Sequence, residues 1–376
     1  MKVMIVVTHL LGTGHLARAL TLGRAFRDAG DAVTVLSGGT PARHFDATGL
    51  DLVQLPPLRS DGTDFATLLD GNGDLAGPDH MQARQDQLIA ALTDCAPDVL
   101  ITELFPFGRR ILRAEFSALL KAAHEMQARP LVLCSIRDIL APPSSPAKAA
   151  YADDMVARYY DGVLVHSDPD VVPLDRSWPV SDTLARKLHY TGFVAPAAAA
   201  HAQDPHGLTL VSAGGGAVGD RLFEAAIDAA YLTPQRSWLF LVGGESARRA
   251  ALIRKAPKHV SIERPRPDFR KLLQGAAASV SMCGYNTALD LMQTGVPCVL
   301  VPFDDGGEVE QGLRAAALST QDGIEVVRQN ALSGPALVMA LENVQGQRPR
   351  KPRRTGMNGA ARSVEIARSL RAVLKA

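Results

Sequence analysis

The chain has 376 residues, too many for one ordinary core, and two domains are the expectation. Hydrophobic residues at 47% and charged residues at 21% describe a globular protein, and a net charge of +1 argues against nucleic acid as the main partner. Four scattered cysteines without a CxxC pair exclude a disulfide framework, and no apolar run reaches the roughly 18 residues of a membrane span.

The N-terminus enters a strand at once, without the charged segment and cleavage site of a secretory signal, so a cytoplasmic chain is expected. Candidate strands follow at Val3–Thr8, Ala32–Ser37, Leu52–Leu55, Val99–Thr102, Leu131–Ser135 and Gly162–His166. Between the first two, Leu16, Ala19, Leu20 and Phe26 recur at helical spacing. Strands of this kind need cover on both faces, which calls for a parallel sheet with crossover helices.

The first turn, GTGHLA, satisfies G-x-G-x-x-A between a strand and a helix. A dinucleotide site also needs an acid at the end of the next strand, where the sequence has Ser37, Gly38 and Gly39. That reading loses its support. Gly12 and Gly14 allow close approach to the backbone, and His15 opens the helix. The helix dipole there keeps an imidazole neutral, able to accept a proton from a substrate hydroxyl; a capping role is the alternative. Glu103 and Asp138 follow strands at the end where open α/β sheets hold ligands, and are alternative bases.

Residues 195–206, APAAAAHAQDPH, read as a linker, and the alternation then restarts. Strands are expected at Leu208–Ser212, Trp238–Val242, Val260–Ile262, Ala278–Met282 and Cys298–Pro302. Gly214, Gly215 and Gly216 precede a helix, an arrangement suited to phosphate or diphosphate. Further on, Asn286 and Thr287 can cap a helix or touch phosphate, while Asp290 and Gln311 can reach a ribose diol. Asp304-Asp305 reads as a solvated loop, with no third metal ligand nearby. Residues 346–359 form a basic loop, solvated or in contact with an anionic surface, and 360–376 an amphipathic helix.

GTGH, the mid-chain glycine turn and CGYNTALDLMQTGVPCVLVPF…EQGLRA together resemble the GT-B glycosyltransferases, MurG-like and with a family 28 type C-terminal domain. The resemblance implies an α/β protein of two Rossmann-like parallel-sheet domains facing across a cleft. Residues 1–194 are then the acceptor-side domain and 207–345 the nucleotide-sugar domain, with the last helix returning to the first. It implies that His15 matches the histidine of the N-terminal glycine loop and that Gly214, Gly215 and Gly216 match the diphosphate loop. Asp290 stands in for a ribose-binding glutamate, and Glu310-Gln311 for a Gln-Gln pair. Backbone groups of Arg266-Pro267 would hold the base, Phe269 would fill an apolar slot, and Arg137 would offer a polar group to the cleft.

Two departures bear on the acceptor. Phe193-Val194-Ala195-Pro196 replaces a family Asn-Pro-x-Arg, and residues 59–74 are polar rather than basic and aromatic, which leaves peripheral membrane contact without support. The implied function is inverting transfer from a nucleotide-diphosphate sugar, a UDP-sugar, to a hydroxyl acceptor without metal or cofactor. A nucleotide-sugar epimerase on the same fold and an inactive nucleotide-sugar-binding protein are the alternatives, with a dinucleotide oxidoreductase a remote third.

Overall fold

The computed structural model describes residues 1–10, 13–42, 45–60, 67–196, 207–214, 218–304, 308–348 and 350–375. The chain divides into two compact units, Met1–Val194 with Asn358–Ala376, and Ala195–Met357. Gly12, Gly215, Gly216 and residues 197–206 of the expected linker lie outside the described residues.

The first unit runs β1 (Lys2–Val7), α1 (Gly14–Asp28), β2 (Ala32–Gly39), β3 (Asp51–Leu58), α2 (Pro78–Cys95) and β4 (Val99–Glu103). It continues through α3 (Arg113–Glu125), β5 (Leu131–Arg137), α4 (Pro146–Tyr159), β6 (Gly162–His166), the short α5 (Asp182–Ala185) and β7 (Leu188–Tyr190). The strands form one parallel sheet in the order β3-β2-β1-β4-β5-β6-β7. Alternation along β1 explains why both faces are covered. Met4 and Val6 pack on one side with Leu100, Phe116 and Ile136, while Val3, Ile5 and Val7 pack on the other with Leu20 and Phe26.

The second unit runs β8 (Thr209–Ser212), α6 (Asp220–Leu232), β9 (Trp238–Leu241), α7 (Ser246–Lys255), β10 (Val260–Glu263) and α8 (Phe269–Gly275). Then come β11 (Ala278–Ser281), α9 (Tyr285–Thr294), β12 (Cys298–Leu300), α10 (Glu310–Leu318), β13 (Ile324–Val326) and α11 (Gly334–Gly346). Its sheet is also parallel, ordered β10-β9-β8-β11-β12-β13.

The last helix, α12 (Gly359–Lys375), belongs to the first unit and buries Val364, Ile366 and Ala367 beside Leu16 and Phe26. Val194 and Asn358 form an antiparallel bridge, so the chain leaves and re-enters this unit side by side. Gly359 is required there. A Cβ at that position would lie 2.4 Å from the carbonyl oxygen of Gly192.

Three details differ from the sequence expectation. Strand β3 runs through Pro56-Pro57 to Leu58, which an edge strand tolerates because one side of its ladder is unpaired. Strands β7 and β13 were not anticipated, being three residues each and only partly buried, too short to show a period. Among the described residues, no helix is long and apolar enough to cross a membrane.

Candidate active site

In both sheets the strand order reverses between two neighbours, β1/β4 in the first unit and β8/β11 in the second. Connections leave such a pair in opposite directions and open a crevice beyond the strands' C-terminal ends. The expected site residues fall at these two places, and each unit is described by itself.

At the β1/β4 end, the turn after β1 delivers His15 into the first turn of α1. Thr13 is the N-cap residue and makes no side-chain cap, and His15 does not cap either. Instead His15 Nδ1 lies 3.0 Å from Oε1 of Glu103, the last residue of β4. Nδ1 also has Nη2 of Arg18 at 3.2 Å, but that guanidinium is already paired with Oε1 of Glu103, and a carboxylate only accepts, so we place the imidazole proton on Nδ1 and the lone pair on Nε2. The His15 side chain is 13% exposed and that of Glu103 only 2%.

Glu103 is held on both oxygens. Arg18, one turn beyond His15 and 3% exposed, pairs with Oε1, while Ser135 Oγ donates to Oε2 at 2.6 Å. Burial pushes the Glu103 carboxyl up, but the Arg18 guanidinium and the bonds from His15 and Ser135 outweigh it and hold it well below the usual carboxylate range. Glu103 is thus held ionised, with Oε1 against His15 and Oε2 against Ser135, a geometry suited to orienting the imidazole. Asp138, the other expected carboxylate, is 2% exposed and accepts the backbone N–H of Ile139 at 2.7 Å.

His15 is held neutral chiefly by burial. Burial is the main cause that lowers its pKa to about 3, the bond to Glu103 opposes it, and the charges of Arg109, Arg18 and Arg137 add to the depression. Arg109 adopts the left-handed region at φ 57° and donates from Nε to the carbonyl of Thr8 at 2.7 Å. This ties the loop after β4 to the end of β1. The neighbouring Leu104 is also left-handed at φ 71°, strain of the kind that collects at functional sites.

At the β8/β11 end, Gly214 has φ 85° and its N–H reaches Ser212 Oγ at 3.2 Å. Helix α9 follows the N-cap residue Gly284 and has neither a side-chain cap from that residue nor an acid in its own first turn. Asn286 is exposed and Thr287 half-buried in that first turn. The turn is anchored from α10, where buried Arg314 donates to the carbonyl of Cys283 at 3.0 Å and stacks 5.8 Å from the Tyr285 ring.

Asp290 is not a solitary carboxylate. Arg270 of α8 donates to it from Nε at 2.8 Å and also binds Gln293, and Asp290 is 13% exposed. Burial raises its pKa to about 6, against the pull of Arg270. Gln311 is engaged through Oε1 by the N–H of Phe303 at 3.1 Å. Glu308 caps α10 by accepting the N–H groups of Glu310 and Gln311. Arg266 pairs with Asp268 at 2.7 Å and Glu263 at 3.2 Å, so its side chain is committed locally, and Phe269 opens α8 half-buried.

Sequence reasoning passed over Arg18, Arg109, Ser135, His166, Arg270, Glu308 and Arg314. Arg18 carried a signal, being a charge on the apolar stripe of α1, three residues from His15. Ser135 and His166 carried a fainter one, as polar residues near or at the ends of apolar strands.

Comparisons with known proteins bear on the fold and on the second half of the chain. Residues 238–370 match the glycosyltransferase family 28 C-terminal domain. The UDP-N-acetylglucosamine–N-acetylmuramyl-(pentapeptide) pyrophosphoryl-undecaprenol N-acetylglucosamine transferase of Brucella anthropi is 33% identical over 135 residues, 34% of this chain and 36% of that protein. The match thus spans about a third of the relative's length. Acinetobacter baumannii MurG superposes with TM-score 0.62 at 15% identity, covering 98% of this chain and 100% of that one. Phytolacca americana UGT2, complexed with UDP-2fluoro-glucose and pterostilbene, gives 0.62 at 12% identity, covering 100% and 95%. The chain therefore has the GT-B fold. Over residues 238–370 it carries the family 28 C-terminal domain and is MurG-like.

Proposed function

We propose that the protein is a glycosyltransferase that moves a sugar from a nucleotide-diphosphate sugar, a UDP-sugar, to a hydroxyl acceptor with inversion and without a metal. The observation that carries this reading is the His15–Glu103 pair at the β1/β4 end, in a chain whose other unit has the family 28 domain. The UDP-sugar named with the Phytolacca enzyme and the UDP-sugar transferase name of the Brucella relative support the donor class.

In this reading the acceptor oxygen attacks the anomeric carbon, the bond from that carbon to the diphosphate oxygen breaks, and the nucleoside diphosphate leaves with the electron pair. Nε2 of His15 takes the hydroxyl proton, and Glu103 stabilises the imidazolium through Nδ1–H. A base whose conjugate acid has a pKa near 3 is weak, so the proton moves only as the new C–O bond makes the hydroxyl acidic. In the second unit, the Gly214 turn and the N-terminus of α9, with Asn286 and Thr287, are suited to the diphosphate. Asp290, Glu310 and Gln311 would face the nucleoside and sugar hydroxyls, and Arg266-Pro267 and Phe269 the base.

An epimerase acting by proton transfer at the sugar needs two free acid/base groups. Glu103 is held as an anion by Arg18, and Asp138 is buried and accepts a backbone N–H, so neither stands as a free second group beside His15. A thermal-shift screen with UDP-, GDP- and dTDP-sugars tests the donor class, since binding must raise stability with concentration. Stabilisation by none of them would remove the proposal, and donor loss with no acceptor present would favour the epimerase.

A further inference from the structure

The hydrogen bonding at Glu103 does not stop at Ser135. The Oγ of Ser135, on β5, lies 2.9 Å from Nε2 of His166, the last residue of β6. Nδ1 of His166 lies 2.9 Å from Oγ1 of Thr191. Ser135 and His166 have no accessible surface, and Thr191 is 3% exposed, so none of them can touch a substrate. A row of buried polar side chains crosses β4, β5 and β6 and ends at His15.

The proton positions along this row can be assigned from chemistry. Ser135 Oγ and Glu103 Oε2 are 2.6 Å apart, a distance two bare oxygens cannot share, and Glu103 stays ionised beside Arg18. The serine proton therefore points at Glu103. Ser135 must then accept from His166, which places the neutral His166 proton on Nε2. Nδ1 of His166 becomes an acceptor for the Thr191 hydroxyl, whose single proton is also faced by the carbonyl of Gly192 at 2.6 Å. The reverse tautomer would satisfy Thr191 but set the serine lone pairs against a buried carboxylate, the costlier arrangement.

The Ser135 and His166 donors thus both point towards Glu103, while the Thr191 proton is divided between Nδ1 of His166 and the carbonyls of Gly192 and Val165. We propose that Ser135 and His166 are positioning residues that lock Glu103 Oε2, so that Oε1 stays aimed at Nδ1–H of His15 and Nε2 of His15 presents its lone pair outward. The idea rests on the catalytic reading of His15, but its structural content is independent of any substrate. Arg18 pairs with Oε1, the oxygen His15 also uses, and Ser135 is what binds Oε2. A carboxylate fixed at one oxygen can turn about its last torsion; one fixed at both cannot.

The test uses the full chain labelled with 15N-histidine, with long-range 1H–15N spectra reporting which ring nitrogen carries the proton and a His15→Asn variant assigning that residue. In the unmodified protein His15 should carry its proton on Nδ1 and His166 on Nε2. Ser135→Ala and His166→Leu should turn the His15 signals into a mixture of tautomers. Ser135→Thr, which keeps the hydroxyl, and His166→Gln, whose amide N–H stands in for Nε2–H, should restore the single tautomer. The two conservative variants also guard against a misfolded Ala or Leu protein. With a donor and acceptor in hand, kcat should fall about tenfold in Ser135→Ala and His166→Leu with the donor KM unchanged. An unchanged His15 tautomer in folded Ser135→Ala and His166→Leu would overturn the proposal. Absence of transfer in the unmodified protein would overturn the catalytic reading instead and leave the spectra to decide this one.

Discussion

His15 Nδ1 and Glu103 Oε1 stand 3.0 Å apart, although 88 residues of chain separate them. The first comes from the start of α1 and the second from the end of β4, and the reversal of strand order is what makes those two points neighbours. His15→Ala should lower the transfer rate by about 10²- to 10⁴-fold while leaving the donor's thermal shift intact. A variant with full rate would remove His15 as the base. Since Glu103 and Asp138 are both engaged, another group would then have to be sought.

Acid should destabilise the first unit through the same residues. His166 and His15 have folded pKa values lowered to about 3 by burial, against about 6.5 in the unfolded chain. Between those values the unfolded state binds more protons, so unfolding free energy rises with pH, and this stability is complete only above about 6.5. For fully buried His166 the loss is about 2 kcal/mol on going from pH 7 to pH 5. Urea unfolding of His166→Gln across that range should show a shallower pH dependence than the unmodified protein. An identical slope would place the protonation elsewhere.

The double Rossmann-like architecture was legible because both sheets are parallel and covered on two faces, so their strands read as short apolar runs divided by helical periods. GTGH announced a site for a local reason, since glycine and histidine between a strand and a helix are visible without tertiary knowledge. The partners of His15 were hidden for the opposite reason. Ser135 and His166 belong to strands 31 residues apart, and only sheet order brings them to Glu103. Burial, invisible in sequence, also changed roles. It is the main cause that keeps His15 neutral, and Asp290 has an arginine partner where the pattern showed only an open carboxylate.

Another ion pair supports the first unit from behind the site. Arg84 of α2 and Glu115 of α3 are essentially fully buried, 2.9 Å apart, and Arg84 also donates to the carbonyls of Gly38 and Pro56. Such a pair is weakly stabilising as a whole but costly to break. Arg84→Met or Glu115→Leu alone should each cost about 3–5 kcal/mol, and the double variant should recover part of that loss in chemical unfolding. Strictly additive losses would show that the two side chains act independently.

Donor binding should depend on pH through Asp290. Its pKa is raised to about 6 by burial, even with Arg270 pulling it down. If the ionised carboxylate accepts a ribose diol, affinity for UDP-glucose should fall as pH drops below about 6. The diphosphate diester of UDP-glucose does not titrate there, so the dependence belongs to the protein. Arg270→Met removes the cation that favours ionisation, and the midpoint should move upward, towards neutral pH. Asp290→Asn should abolish the dependence and weaken binding at pH 8 by about tenfold, the worth of one hydrogen bond to a charged group. Titration calorimetry at several pH values checks all three proteins. A dissociation constant that is flat from pH 5 to pH 8 in the unmodified protein would leave Asp290 as a partner of Arg270 alone and move diol recognition to another residue.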